Sequence, residues 1–220
     1  MGLMGSLKEK FNETGLTDQL CSHLNGCGLK ARVVDKKGPE ALHHSMAIIG
    51  VPSLGCVKLE GCNIDYVEMF RYIEHKHSGF SVGIGDINIS NPSDNLAYEY
   101  TASTRFDVGD NEKELRAEID YVTKGLVKKE VVNFSWKGGA LAQRLNQDVQ
   151  LRSMLTAMGM PWIEVSANKK DGFVEVGQGH TRAGTFDLST GKYDFPSSQM
   201  LAVYDHIFGV VGTMRTRIVR

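Results

Sequence analysis

The sequence predicts an α+β fold of two small lobes, each an antiparallel sheet flanked by helices. Three observations predict it. Apolar and polar residues alternate over two long neighbouring stretches near the middle of the chain, as they do in half-buried antiparallel strands. Helical periodicity comes in blocks that bracket groups of short strand-like segments, unlike the regular strand-helix alternation of a doubly wound sheet. The length, 220 residues, suits one large domain or two small ones. The boundary falls near residue 127. It separates an α+β domain over 1–127 from a smaller α+β lobe over 128–220.

Residues 7–26 predict the first helix. Leu7 and Phe11 are four apart, as are Leu16, Leu20 and Leu24, so each set shares a helical face. Gly15 is expected to break or bend it, and Gly26 and Gly28 to end it. Short strands follow over 29–62. Lys30–Asp35 runs into the turn Lys36-Lys37-Gly38-Pro39, then come Ser45–Val51 and Cys56–Glu60. Asn63–Asp65 can cap a helix to about Lys76, with Val67, Phe70 and Ile73 inward.

The clearest pattern lies at 80–106. Phe80, Val82 and Ile84 alternate with Ser81 and Gly83, and the phase shifts at Gly85-Asp86 as a bulge would shift it. Asn91-Pro92-Ser93-Asp94-Asn95 is a turn. Leu96, Tyr98, Tyr100, Ala102 and Phe106 then share a strand face. Phe80 to Phe106 is therefore read as a β-hairpin. Asn111 with Glu114 resembles a capping box, and Leu115, Ile119, Val122 and Leu126 form a helical stripe behind it.

Residues 128–138 read as a connector with room for one strand. A helical region carries Leu141, Leu145, Leu151, Leu155 and Met158 on or near one face. Trp162–Ala167 is a strand, Asn168–Gly172 a hairpin turn and Phe173–Gly177 the return strand. Thr185–Leu188 is another strand. Ser197 or Ser198 caps a last helix with Leu201, Tyr204, Ile207 and Phe208 inward. Arg215, Arg217 and Arg220 suit its C-terminal end.

Two passages echo each other at a constant offset of 131: Leu20 with Leu151, Ser22 with Ser153, Leu24 with Leu155, Gly28 with Gly159 and Val34 with Val165. The second lobe is thus expected to be a degenerate repeat of residues 16–76. The element order of 7–127 resembles the YbjN-like and type III secretion chaperone-like α/β fold. The hairpin Phe80–Phe106 and the helix from Asn111 carry the resemblance, with Gly85-Asp86 and Asp94-Asn95-Leu96 at strand end and turn. It covers a little over half the chain and rests on element order and hydrophobic pattern. It implies a small non-enzymatic binding module, often dimeric, that holds a partner segment on its sheet or helices. The further ninety or so residues depart from that single-domain pattern.

Composition narrows the function classes. With 41% hydrophobic and 23% charged residues, the chain has the makings of a core, which excludes a mainly disordered protein. The formal charge of −1 argues against an indiscriminate nucleic-acid binder. That charge is uneven: residues 1–85 balance, 86–120 carry −6 and 121–220 carry +5, so acidic and basic regions could attract each other within or between chains. No apolar run is long enough to span a membrane. No secretory signal opens the chain. Gly2 and Ser6 fit the N-myristoylation pattern, but no polybasic stretch supplies a second membrane signal, so a plain cytoplasmic start is preferred.

Candidate chemistry is sparse. Cys21 and Cys27, and Cys56 and Cys62, are each separated by five residues, wider than the spacing that aims two thiolates at one zinc. Ordinary reduced thiols are expected, with Cys56 exposed beside Lys58 and Glu60. His43-His44 and His75-Lys76-His77 lack the helical spacing of metallohydrolase ligands and read as surface histidines. Gly83-Ile84-Gly85 and Gly177–Gly184 are glycine-rich, but neither opens a helix as a phosphate loop does. The second still places His180 and Arg182 on a connecting loop. The preferred reading is a non-enzymatic binding or assembly module that holds a protein partner segment and self-associates as a homo-oligomer. It assigns no catalytic residue, cofactor or metal. The alternatives are an enzyme with a site between the lobes near His180, Arg182 and Asp187, and a metal protein using Cys21, Cys27, Cys56 and Cys62.

Overall fold

The computed structural model describes residues 13–35, 45–46, 51–74, 95–124, 130–168, 172–177, 184–187, 192–193 and 195–218. Helix α1 spans Glu13–Gly26 and buries Leu16, Leu20 and Leu24 completely. Gly15 lies inside it without interrupting it. Strands β1 (Lys30–Val33), β2 (Ser45–Met46), β3 (Val51–Glu60), β4 (Tyr66–Glu74) and β5 (Asn95–Arg105) follow, then β6 (Ala117–Lys124) and β7 (Glu130–Gly138). Helices α2 (Ala140–Gln147) and α3 (Val149–Ala157) come next. Strands β8 (Glu164–Asn168), β9 (Phe173–Gly177), β10 (Gly184–Asp187) and β11 (Lys192–Tyr193) lead to α4 (Ser198–Ile218). The class is α+β, as the sequence predicts.

Eight strands run in the order β1-β3-β4-β5-β9-β8-β6-β7, with every pairing antiparallel. The expected boundary near residue 127 does not divide two sheets among the described strands. β5 pairs with β9 from Thr101–Gly177 to Arg105–Phe173, so the sheet crosses that boundary. One core runs from Leu16 of α1 to Met214 of α4. It contains Val57, Met69, Tyr100, Val176, Ile119 and Trp136 from six different strands, so helices from both halves share one face of the sheet. Val34, Cys56, Tyr66 and Phe173 form a second, smaller cluster.

Two expected helices are strands. The helix predicted from Asn63 to Lys76 is a turn followed by β4. Alternate residues on both of its faces are buried, Val67 and Met69 at 0–1% exposure and Tyr66, Glu68 and Phe70 at 1–4%. A strand buried on both sides reads as a near-continuous apolar run, whose period cannot separate strand from helix. The helix predicted from Asn111 is one turn closed by Leu115 N–H on Asn111 C=O, and then β6. Ala117 and Ile119 face the core, whereas Val122 is half exposed, as strand alternation dictates. This removes the helix on which the family resemblance partly rested. Glu114, read as a capping partner for that helix, instead caps α2: its Oε2 accepts from Ala140 N–H at 2.9 Å.

The hairpin expected at 80–106 keeps its second arm as β5, while 75–94 lie outside the described residues. The expected connector is the full strand β7. The single helical region expected at 141–158 is two helices parted at Asp148, which N-caps α3 through Leu151 N–H at 2.8 Å. The echo holds at the helix ends. Gly28 and Gly159 both adopt positive φ, +86° and +77°. Leu29 N–H bonds Leu24 C=O as Met160 N–H bonds Leu155 C=O, and Gly28 bonds Asn25 as Gly159 bonds Thr156. Each is the same Schellman stop, offset by 131. Beyond it the strand arrangements differ. β1, β3 and β4 lie side by side, whereas β10 does not follow β9 outward but returns to β5. Among the described residues, no helix is long and apolar enough to cross a membrane.

Candidate functional site

Helix α4 is capped by the preceding Ser197, whose Oγ accepts from Met200 N–H at 3.1 Å. It buries Leu201, Val203, Tyr204, Ile207, Phe208 and Val211 against the sheet. Its outer side carries small residues beside Asp205 and His206. Ala202, Gly212 and Thr213 are exposed and Gly209 is half-buried. Among the described residues, no heavy atom lies within 4 Å of the place a Gly212 side chain would start.

Two clefts flank this surface and meet at Asn63. The larger, about 450 Å³, is walled by Asp148, Gln150 and Met154 on one side and Asn63 on the other, with Ala202 and Gly209 between. The smaller, about 290 Å³, lies between Gly212 and a wall of Cys62, Asp65, Thr104 and Arg105.

Most polar side chains of the two clefts are hydrogen-bonded within the protein. Asn63 N–H donates to Asp205 Oδ1 at 2.6 Å and its Nδ2 to Oδ2 at 3.2 Å, which straps the β3–β4 turn to α4. His206 Nε2 sits 2.7 Å from Asp148 Oδ2, both side chains about one-fifth exposed. Burial raises the Asp148 pKa, but hydrogen bonds from Leu151 and His206 and the His206 charge outweigh it, so the carboxyl is held below its ordinary value. Asp65 Oδ2 accepts from Arg105 N–H at 2.7 Å and Thr104 Oγ1 at 3.1 Å. Arg144 Nη1 donates to Thr213 Oγ1 at 3.1 Å. Cys62 donates its thiol to Ile64 C=O at 3.3 Å, and burial raises its pKa, which suits a thiol rather than a nucleophilic thiolate.

The cysteines do not converge. Cys21 accepts from Asn25 Nδ2 at 3.6 Å, and Cys27 lies 3.6 Å from His23 Nε2, which also meets Pro196 C=O at 2.9 Å. Cys56 is buried, not exposed, because its side of β3 is covered; burial and then the Glu68 charge raise its pKa. Among the described residues, no three His, Cys, Asp or Glu side chains could hold a metal ion. His180 and Arg182 lie outside the described residues, as do His43, His44, His75, His77 and Gly83–Gly85. Asp187 ends β10 opposite Lys192. Thr101 faces Gly177 and Tyr98 faces Gly184, so β9 and β10 both pair with β5. The sequence reading missed the His206–Asp148 contact. Asp148 before an apolar helical run is an N-cap signal, but nothing local marks His206 as its partner. No family model, no curated protein and no solved structure matches the chain.

Proposed function

We propose that this chain is a non-enzymatic binding module that holds a segment of a protein partner along α4. The observation that carries the reading is the row of Ala202, Gly209, Gly212 and Thr213 on α4, which among the described residues lies between two walls where Asn63, Asp65, Asp148 and His206 are already hydrogen-bonded. Residues without bulk let another backbone approach closely, and a groove between fixed walls suits an extended or helical segment. The two carboxylates and the imidazole of the larger cleft are tied to Asn63, Leu151 and each other, which fixes the shape of the groove. The same class of function is what the YbjN-like resemblance implies. In the reducing cytoplasm the free thiols Cys21, Cys27, Cys56 and Cys62 would stay unpaired.

The test uses a displayed library of short peptides panned on the whole protein. Gly212→Trp places an indole in the open space of the groove and should leave the melting curve unchanged. Peptides selected on wild type should lose about tenfold or more of their affinity for G212W, a difference of about 1.4 kcal/mol. Selected peptides that bind both proteins equally, or a library that yields no binder, would overturn the reading.

A further inference from the structure

One wall of the larger cleft is a short helix with a thin apolar seat. α3 supplies Asp148, Gln150 and Met154 to that wall. Of its nine residues, Leu151 and Leu155 are buried, whereas Val149 is 76% exposed. α4, which carries the rest of the cleft, buries an apolar side that runs from Met200 to Met214. The free energy of local opening follows the apolar surface an element buries, which puts α3 at the low-stability end of this fold.

The chain changes direction at both ends of α3. Asp148 parts it from α2 with φ −82° and ψ +99°, an extended break. At the other end Gly159 and Met160 follow one another at positive φ, +77° and +58°, and Pro161 comes next. Among the described residues, Met160 is the one non-glycine in the left-handed region. A side chain there crowds the following carbonyl, and such strain persists where the surroundings hold the backbone in place. Both backbone groups of Met160 are held. Its N–H donates to Leu155 C=O at 2.8 Å, and its C=O accepts from Tyr121 Oη on β6 at 2.7 Å. Side chains therefore fasten α3 at three points. His206 meets Asp148 at its start, Arg152 reaches Asn133 Oδ1 at 3.0 Å and lies over the Phe134 ring in its middle, and Tyr121 holds Met160 beyond its end.

We propose that α3 is a latched wall that opens as a unit while the sheet and α4 stay folded. It turns about Asp148 at one end and Gly159-Met160 at the other, and its opening widens the larger cleft. Tyr121 is the latch and Met160 the spring. When the Tyr121 hydrogen bond parts, Met160 can leave the left-handed region, and that relief favours the open state. The hydrogen bonds that fix the shape of the groove are those of the closed state. A partner segment would enter when they part and be held when they re-form. That last step rests on the groove reading; the opening itself does not.

The test is native-state hydrogen exchange of the full chain, without a partner, in rising urea below the unfolding transition. In wild type the Leu155 and Met158 amides should exchange about tenfold faster or more than the Ile207 amide of α4. Their exchange should also depend less on urea, because opening α3 exposes less surface than unfolding. Tyr121→Phe should speed the Leu155 and Met158 amides about tenfold. Met160→Ala and Met160→Gly both remove the thioether, but the alanine alone keeps the left-handed strain. Leu155 should therefore exchange about threefold faster in M160A than in M160G. Wild-type Leu155 and Met158 amides that match Ile207 in rate and urea dependence overturn the proposal, and this outcome needs no variant to fold. So do wild-type rates in Y121F, or equal rates in M160A and M160G. A failed peptide selection overturns the groove reading alone and leaves these rates as they are.

Discussion

Replacing Gly55 by alanine should test how closely α1 is seated on the sheet. A Cβ built on Gly55 falls inside the Thr17 Oγ1, meets its Cγ2 at 2.9 Å and its Cβ at 3.0 Å. Thr17 is 8% exposed, and Leu16 and Leu20 beside it are fully buried, so the helix has no slack along that face. Overpacking a close-packed core costs about 1–3 kcal/mol, and a clash with a whole side chain at a helix-sheet contact belongs at the upper end, about 3 kcal/mol. Thr17→Ala removes Oγ1 and Cγ2. On its own it loses about 1 kcal/mol of packing, partly offset by about half a kcal/mol of helix propensity. In the double variant the new methyl occupies the space those two atoms leave. G55A should then be milder in the T17A background, with a coupling of about 2 kcal/mol. Urea unfolding followed by circular dichroism at constant m-value measures all three. If G55A lies within about half a kcal/mol of wild type, or if the two changes add within that margin, α1 does not pack on β3 as described.

Three further outcomes are expected. Burial, and then the negative charge of Glu164, raises the Glu99 pKa to about 7. The folded state therefore binds that proton more tightly than the unfolded state, so stability falls as pH rises from about 4.5 to about 7. Glu99→Gln should add about 1–2 kcal/mol at pH 8, after discounting for partial exposure, and nothing near pH 4; denaturant midpoints at the two values decide it. Asp148 has the opposite sign. Its lowered pKa supplies stability above the ordinary carboxylate range that is lost as pH falls through its folded value. Asp148→Asn should cost about 1–2 kcal/mol at pH 7 and flatten the acid limb of the stability curve, measured by thermal melts from pH 7 to 3. Gly139→Ala should be the most damaging of the set. Its Cβ would overlap the Lys113 carbonyl and approach the Glu114 carbonyl carbon at 2.7 Å. Backbone cannot yield as a side chain can, so a loss above about 3 kcal/mol is expected; protease resistance equal to wild type would refute it.

The sequence was most legible where local signals were unopposed. The Schellman glycines Gly28 and Gly159, the Ser197 cap and the Gly172 turn all stand where the reading placed them. It misled where burial on both faces erased the period, as in β4. It also misled where residues at helical spacing sat on a turn and strand by coincidence, as Leu115 does in the turn and Ile119 and Val122 do in β6. Glu114 was recognised as a capping residue but assigned to the wrong helix, because the helix it serves begins 26 residues later in the chain. The clefts were not legible. Asn63 with Asp205, and Asp148 with His206, are contacts across 142 and 58 residues of sequence, and no local pattern encodes them. The same holds for Asn25 and Asn146, whose side chains bond the backbones of Ala31 in β1 and Trp136 in β7. Each asparagine could be read as a helix-end residue, but the strand backbone it meets depends on which strands become outermost.

That last dependence also says why the two halves form one sheet. β5 lies between β4 and β9, and its backbone from Thr101 to Ser103 pairs along both edges. Its two pairings have very different histories in sequence. β4 ends 21 residues before β5 begins, whereas β9 begins 68 residues after β5 ends, beyond β6, β7, α2 and α3. Loop closure over that span must precede the β5–β9 ladder, so β5 and the partner strands of both halves are exposed edges until late in folding. The native outer edges at β1 and β7, by contrast, are closed by asparagines from helices that immediately precede or follow them. Guarding by a near neighbour in sequence can act before the long-range ladder forms. The edges that remain outermost are thus closed locally, and the edge that must stay available for β9 is, among the described residues, closed by β9 and β10 themselves. A chain cut at residue 127 would therefore lack the strands that cover β5, and the boundary that the sequence suggests is a poor place to divide the protein.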